Sequence, residues 1–199
     1  MSQQKTIIAV VGPNGSGKTS AIYKTEVCDT LTFINPDDVA KRDFMHIDDI
    51  AERNFLAWQQ CNSLRESLVV QGVSFGFETV GSHPSKVELL KEAKGLGFTV
   101  ILLFVGTENP EINIARIEHR VALGGHGVSA TKVRARYQRT MKLLKNYFDV
   151  ADIATVWDNS VDAPTSHEST IRELVRKEYD GTIVVSPDYQ QVQWIQDYL

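Results

Sequence analysis

The stretch Ile7-Ile8-Ala9-Val10-Val11-Gly12-Pro13-Asn14-Gly15-Ser16-Gly17-Lys18-Thr19 decides the reading of this chain. Its uninterrupted apolar run, Ile7 to Val11, suits a parallel strand buried on both faces. Gly12 to Thr19 then fits G-x-x-x-x-G-K-[ST], and a helix is expected from Gly17 to about Val27. The glycines let the backbone turn tightly, so that N–H groups from Asn14 to Thr19 point inward as an anion nest at a helix N-terminus. Lys18 adds a point charge for the β- and γ-phosphates, and the Thr19 hydroxyl is a hard ligand for Mg²⁺. Gly12, Pro13, Asn14, Gly15, Ser16, Gly17, Lys18, Thr19 and Ser20 are therefore the expected ATP·Mg²⁺ contacts.

Outward from this loop, apolar runs alternate with stretches of helical period, which reads as α/β. Further strands are expected at Leu31–Ile34, Val73–Phe77, Phe98–Val105 and Ile153–Trp157, giving a five-stranded parallel sheet flanked by helices. A long helix should start at the capping-box-like pair Asp49 and Glu52 and end at Gln71-Gly72. Its apolar stripe reads Ile50, Ala57, Cys61, Leu64 and Leu68. Pro84 suits the first turn of a helix reaching about Leu96. Asn109-Pro110 opens a helix to Leu123, and Ser129 caps another, the two joined by Gly124-Gly125-His126-Gly127. Beyond residue 168 the sequence reads as a β-hairpin about Asp180-Gly181 and a short closing helix.

The chain has 199 residues, 42% hydrophobic and 23% charged, so it should fold as one domain spanning 1–199. Lys plus Arg is 21 against 25 for Asp plus Glu, a net charge of −4 that disfavours a nucleic-acid or anionic-membrane partner. Cys28 and Cys61 form no CxxC pair, so neither a zinc signature nor a disulfide framework is present. Reduced thiols and a cytoplasmic location are expected. The longest apolar stretch, Val100 to Val105, is too short to span a bilayer.

The phosphate loop alone does not say what happens to the phosphate. A motor or ABC-type ATPase needs an apolar strand ending in Asp-Glu; Ile153 to Asp158 ends in an acid but lacks the Glu. A GTPase needs Asn-Lys-x-Asp, which Asn146-Tyr147-Phe148-Asp149 is not. A small kinase remains. It needs a carboxylate to take the acceptor's proton and cations to spread over the phosphoryl oxygens. Asp37, in Asn35-Pro36-Asp37-Asp38, follows the second strand, expected beside the phosphate-loop strand, and is the candidate base. A helix N-cap or turn acid is the bland alternative. Glu78 and Thr79, at the end of the third strand, are candidates for binding acceptor hydroxyls. Arg116 and Arg120 share a helical face, and Arg134, Arg136 and Arg139 follow the glycine-rich break. Together they suggest a lid, about 110–147, over the γ-phosphate, although each arginine alone could be ordinary solvated charge. His126 lies in the hinge, a candidate acceptor ligand or a turn histidine.

The ordered set of Gly12 to Thr19, Asn35-Pro36-Asp37, Phe75-Gly76-Phe77-Glu78-Thr79, Arg120-Val121 with Gly124-Gly125-His126, and Asp158-Asn159-Ser160 resembles the zeta toxin family of P-loop kinases. The closer likeness is to its compact, stand-alone bacterial branch, often called predicted ABC-type ATPases. The resemblance implies a P-loop NTPase fold and ATP-dependent transfer to an alcohol, with Asp37 as catalytic base and Glu78 holding the acceptor. It implies Lys18 and Thr19 for ATP and Mg²⁺, and Arg116 or Arg120 as the first phosphate clamp. The second clamp falls to His126, Arg134 or Arg136, and Asn159 lies near the adenine. It further implies a UDP-sugar acceptor such as UDP-N-acetylglucosamine and a small antitoxin-like partner. An ATP-binding regulatory module and a polynucleotide 5′-hydroxyl kinase are the alternatives.

Overall fold

Which side of the first strand each later strand joins decides where a ligand crevice can open. The computed structural model describes residues 4–25, 31–125, 127–161 and 171–199. β1 (Thr6–Val11) leads through the phosphate loop into α1 (Lys18–Thr25) and β2 (Thr32–Ile34). Then come α2 (Pro36–Asp43), α3 (Ile50–Gln71), β3 (Phe75–Thr79), α4 (Ser85–Gly95) and β4 (Thr99–Gly106). α5 (Pro110–Ala122), α6 (Ala130–Val150) and β5 (Ile153–Asp158) follow, before β6 (Arg172–Lys177), β7 (Ile183–Val185), a 3₁₀ turn at Tyr189–Gln191 and α7 (Gln193–Tyr198).

The strands form one seven-stranded sheet in the order β2-β3-β1-β4-β5-β6-β7. The first five are parallel; β6 and β7 are antiparallel additions. The expected C-terminal hairpin thus exists, but it continues the main sheet instead of standing apart from it. The expected five-stranded sheet is its parallel part. Strand order corrects a second expectation: β3, not β2, is the neighbour of β1. The chain passes to one side of β1 for β2 and β3 and to the other for β4 and β5. A crevice therefore opens at the C-terminal end of β1, where the phosphate loop starts.

Local signals set the helix ends. The Asp49 carboxylate accepts from the N–H groups of Ala51 and Glu52, and Gly72, at φ 69°, closes α3 in the left-handed region. Asn109 caps α5 with Pro110 in its first turn. Ser129 stands at the N-cap of α6 but makes no side-chain capping bond. One face of the sheet, carrying Ile7, Ala9, Phe75 and Phe77, packs with residues of α3, α4 and α6. The other, carrying Ile8, Val10 and Leu103, meets Ala21 and Ile22 of α1. α5 and α6 join through Ile114, Ile117 and Val133. Among the described residues, no helix is long and apolar enough to cross a membrane.

Candidate functional site

The phosphate loop is built by contacts that only glycine permits. A Cβ on Gly12 would lie 2.3 Å from the Val105 carbonyl oxygen. Gly15 and Gly17 hold φ at +77° and +93°, and a Cβ there would meet the Asn113 carbonyl oxygen at 2.6 Å and Asn159 Nδ2 at 2.3 Å. Four elements thus close around the loop: β1, the end of β4, α5 and the residue after β5. Asn159 Nδ2 donates to the Ser16 carbonyl at 2.8 Å. The Asn159 N–H donates to the Gly106 carbonyl, and the Asn159 carbonyl accepts from Arg116 Nη1 at 2.7 Å. Asp158 is consumed structurally: buried, it accepts from Ser160 Oγ, Arg172 Nε and Trp194 Nε1.

Lys18 is buried and donates to the Pro13 carbonyl at 3.0 Å. Its Nζ lies 3.6 Å from Glu78 Oε1. Burial pushes the ammonium below its ordinary value against the pull of Glu78; Asp37 supports the charge more weakly and Arg120 opposes it. These couplings put Glu78, Asp37 and Arg120 within electrostatic reach of the lysine. Asn35 ties the acids together. Its Oδ1 accepts from the Asp37 N–H at 2.9 Å, capping α2, while its Nδ2 donates to Glu78 Oε2 at 3.3 Å. Asp37 is therefore an exposed residue in the first turn of a helix, not a loop acid after a strand. Both the functional and the capping readings touch this segment, but the cap is Asn35. An Asn before Pro at a helix start was the available signal for it.

The lid arginines divide. Arg136 Nη1 donates to Asn14 Oδ1 at 3.3 Å, across to the phosphate loop. Arg134 instead makes a two-bond pair with Glu111 at 2.7 and 2.8 Å, on the surface between α5 and α6. Arg116 is turned to Asn159 and Arg120 is exposed on the same helix. Thr79 Oγ1 accepts from the Gly81 N–H at 3.2 Å, a turn contact. His126 and Cys28 lie outside the described residues. Cys61 is buried, and burial pushes its thiol up.

The loop fits a polyphosphate on its own observations. The buried Ser16 hydroxyl has no hydrogen-bond partner, the glycine positions hold the backbone close, and α1 begins at the loop. Thr19 and Ser20 are exposed at the start of that helix. The Thr19 hydroxyl is a hard-oxygen donor of the kind Mg²⁺ takes.

No family model matches the chain. Over 134 residues, 67% of this chain and 94% of the relative, it is 31% identical to an uncharacterized protein of Haemophilus influenzae. Among solved structures it is similar to the PezAT chromosomal toxin–antitoxin system of Streptococcus pneumoniae, at 17% identity and TM-score 0.56 over 85% of this chain and 76% of that one. A gluconokinase from Sinorhizobium meliloti gives 17% identity and TM-score 0.51 over 80% and 86%. The AvrRxo1-ORF1:AvrRxo1-ORF2 complex with ATP gives 15% and 0.62 over 96% of this chain, which spans 64% of that longer one. The shared feature is the fold of P-loop kinases.

Proposed function

The chain belongs to the same family as the Haemophilus influenzae protein and has the fold of P-loop kinases; on that footing we propose that it is an ATP-dependent kinase transferring the γ-phosphate to a hydroxyl of a small acceptor. The observation that carries the reading is the buried Lys18 ammonium, held at the phosphate loop beside Glu78 with Asp37 on the same edge. A nucleotide holder has no need of a second carboxylate, Asp37, within electrostatic reach of its phosphate lysine.

In the proposed reaction the acceptor oxygen forms a bond to the γ-phosphorus as the bond to the β–γ bridging oxygen breaks, and ADP leaves. The acceptor proton passes to the Asp37 carboxylate. Glu78, held by Asn35, orients the acceptor hydroxyls. Lys18, Arg120 and Arg136 supply positive charge to the phosphoryl oxygens, and Arg116 acts on the loop through Asn159. The Thr19 hydroxyl would hold Mg²⁺, which would supply neutralisation of phosphate charge when bound. α5 and α6 form the lid. Likeness to the zeta toxins points to a UDP-sugar acceptor such as UDP-N-acetylglucosamine, and likeness to PezAT to a small antitoxin-like partner.

The test is transfer from γ-labelled ATP to a panel of UDP-N-acetylglucosamine, other nucleotide sugars, gluconate, nucleosides and short RNA. Label should move to one acceptor class. Asp37→Asn should cut turnover roughly 10²- to 10⁴-fold with ATP affinity unchanged, and Lys18→Ala should lose ATP binding. Full turnover in Asp37→Asn removes that residue from the mechanism. ATP binding without acceptor-dependent consumption across the panel replaces the kinase with a regulatory module.

A further inference from the structure

The buried ridge of α3 reads Ala57, Cys61, Arg65, Val69, one residue per turn. Three of these are ordinary packing residues. Arg65 is not: it is 2% exposed. Its guanidinium lies 5.2 Å over the Phe77 ring, and Nη2 donates to Asn62 Oδ1 at 2.6 Å. Nε and Nη1 are buried with no hydrogen-bond partner. Lys86, in the first turn of α4, donates to the same Asn62 Oδ1 at 2.7 Å. One neutral amide oxygen therefore serves two cations.

Among the described residues, no carboxylate offsets them at contact distance. Glu66 is exposed and acts on both only through space. The Cys61 thiol, pushed up by burial, supplies no charge at neutral pH. Burial, and then the Arg65 charge, push Lys86 down to about 8. Buried guanidinium donors without acceptors are costly, and a second cation beside them adds to the cost. A Leu or Met would fill the same packing position without that penalty. The guanidinium fork and the ammonium are the donors that carboxylate and phosphate groups take.

Position gives the cluster a use. Phe77 immediately precedes Glu78 near the end of β3, the two side chains leaving opposite faces of the strand, so the cations and the acceptor-side carboxylate share that strand end from its two sides. Lys86 and Asn62 are partly exposed and form the solvent side of the cluster. The Asn62 amide oxygen occupies the acceptor position between the cations; turning the amide over presents its N–H₂ instead.

We propose that Arg65, Lys86 and Asn62 form an oxyanion subsite, and that the alcohol accepted by the kinase carries a carboxylate or phosphate held there. The second half rests on the kinase reading; the first does not.

The test loads the full chain with a nonhydrolysable ATP analogue, which occupies the phosphate loop. It then titrates inorganic phosphate or acetate at constant ionic strength, read by calorimetry and by the thermal midpoint. One or both anions should bind. Tighter phosphate assigns a phosphorylated acceptor, and tighter acetate a carboxylic acid. Lys86→Met should weaken that binding at least tenfold. Arg65→Met should abolish it while leaving the thermal midpoint unchanged or higher, because it removes an uncompensated buried charge. No binding of either anion at tens of millimolar, or equal affinity in Lys86→Met, overturns the subsite. So does an Arg65→Met chain that melts several degrees lower yet still binds anion, which would make the arginine structural. Because the readout is binding, the subsite can fail while labelled transfer succeeds, and the reverse.

Discussion

Asn159→Ala separates two uses of one side chain. Resemblance places Asn159 near the adenine, whereas its amide in fact donates to the Ser16 carbonyl at 2.8 Å. It also packs where a Cβ on Gly17 would stand. Ser16 is wholly buried, so removing the amide leaves its carbonyl without this donor. An unsatisfied buried acceptor costs about 1–3 kcal/mol. In a chain of this size each kcal/mol moves the thermal midpoint by about 2–4 °C, so a fall of roughly 2–12 °C is expected. The Ser16–Gly17 peptide also belongs to the anion nest. If about 1.4 kcal/mol of the loss appears in phosphate binding, affinity drops about tenfold.

The assay is calorimetric titration of wild type and Asn159→Ala with ATP, ADP and inorganic tripolyphosphate, with parallel thermal unfolding. A loop brace predicts that all three ligands weaken by one factor. Asn159→Asp should do worse than alanine, since it sets a carboxylate against the Ser16 carbonyl and adds an anion beside the phosphates. Tripolyphosphate affinity at the wild-type value, with ATP and ADP weakened, would refute the brace and return Asn159 to the base.

Arg134→Ala should leave turnover and thermal midpoint at wild-type values, because Arg134 is engaged with Glu111 on the surface. Arg136→Ala, which loses the contact to Asn14, should lower kcat/KM for ATP; steady-state kinetics on both variants checks the contrast. Gly15→Ala combines a left-handed backbone, about 1–2 kcal/mol for a non-glycine residue, with a 2.6 Å approach to the Asn113 carbonyl. It should lose more than tenfold in ATP affinity, whereas Gly124→Ala, which meets nothing within 4 Å, should not.

These sites differ in how far the sequence could reveal them. The phosphate loop was legible because its geometry demands glycine at fixed spacing, and Gly12, Gly15 and Gly17 each prove to stand where a side chain has no room. Helix ends at Asp49, Gly72 and Asn109-Pro110 were legible for a similar reason, since capping uses residues one to three positions away. What depended on distant pairing was not. That β3 enters between β2 and β1 decides that Glu78, rather than Asp37, touches Lys18, and no local signal encodes strand order. The Arg134–Glu111 pair joins two helices across a glycine-rich break, so a run of arginines read as one lid conceals one already spoken for.

The face of α3 shows the same limit in a sharper form. The apolar spacing selects Ile50, Ala57, Cys61, Leu64 and Leu68 as the buried stripe. In the fold Ile50 and Leu64 are exposed at 54% and 37%, and the ridge runs through Arg65 and Val69 instead. Hydrophobic periodicity assumes that charge marks the solvent side. It must misplace a helix face wherever a cation is buried, and a buried cation without an anionic partner costs stability that an apolar residue would not. An error in the stripe is thus itself a signal. Here the displaced position is Arg65, with unused donors, a lysine neighbour and Glu78 at the same strand end. That is the part of the chain where the proposed acceptor has to be recognised, and where the nucleotide half of the site gives no information.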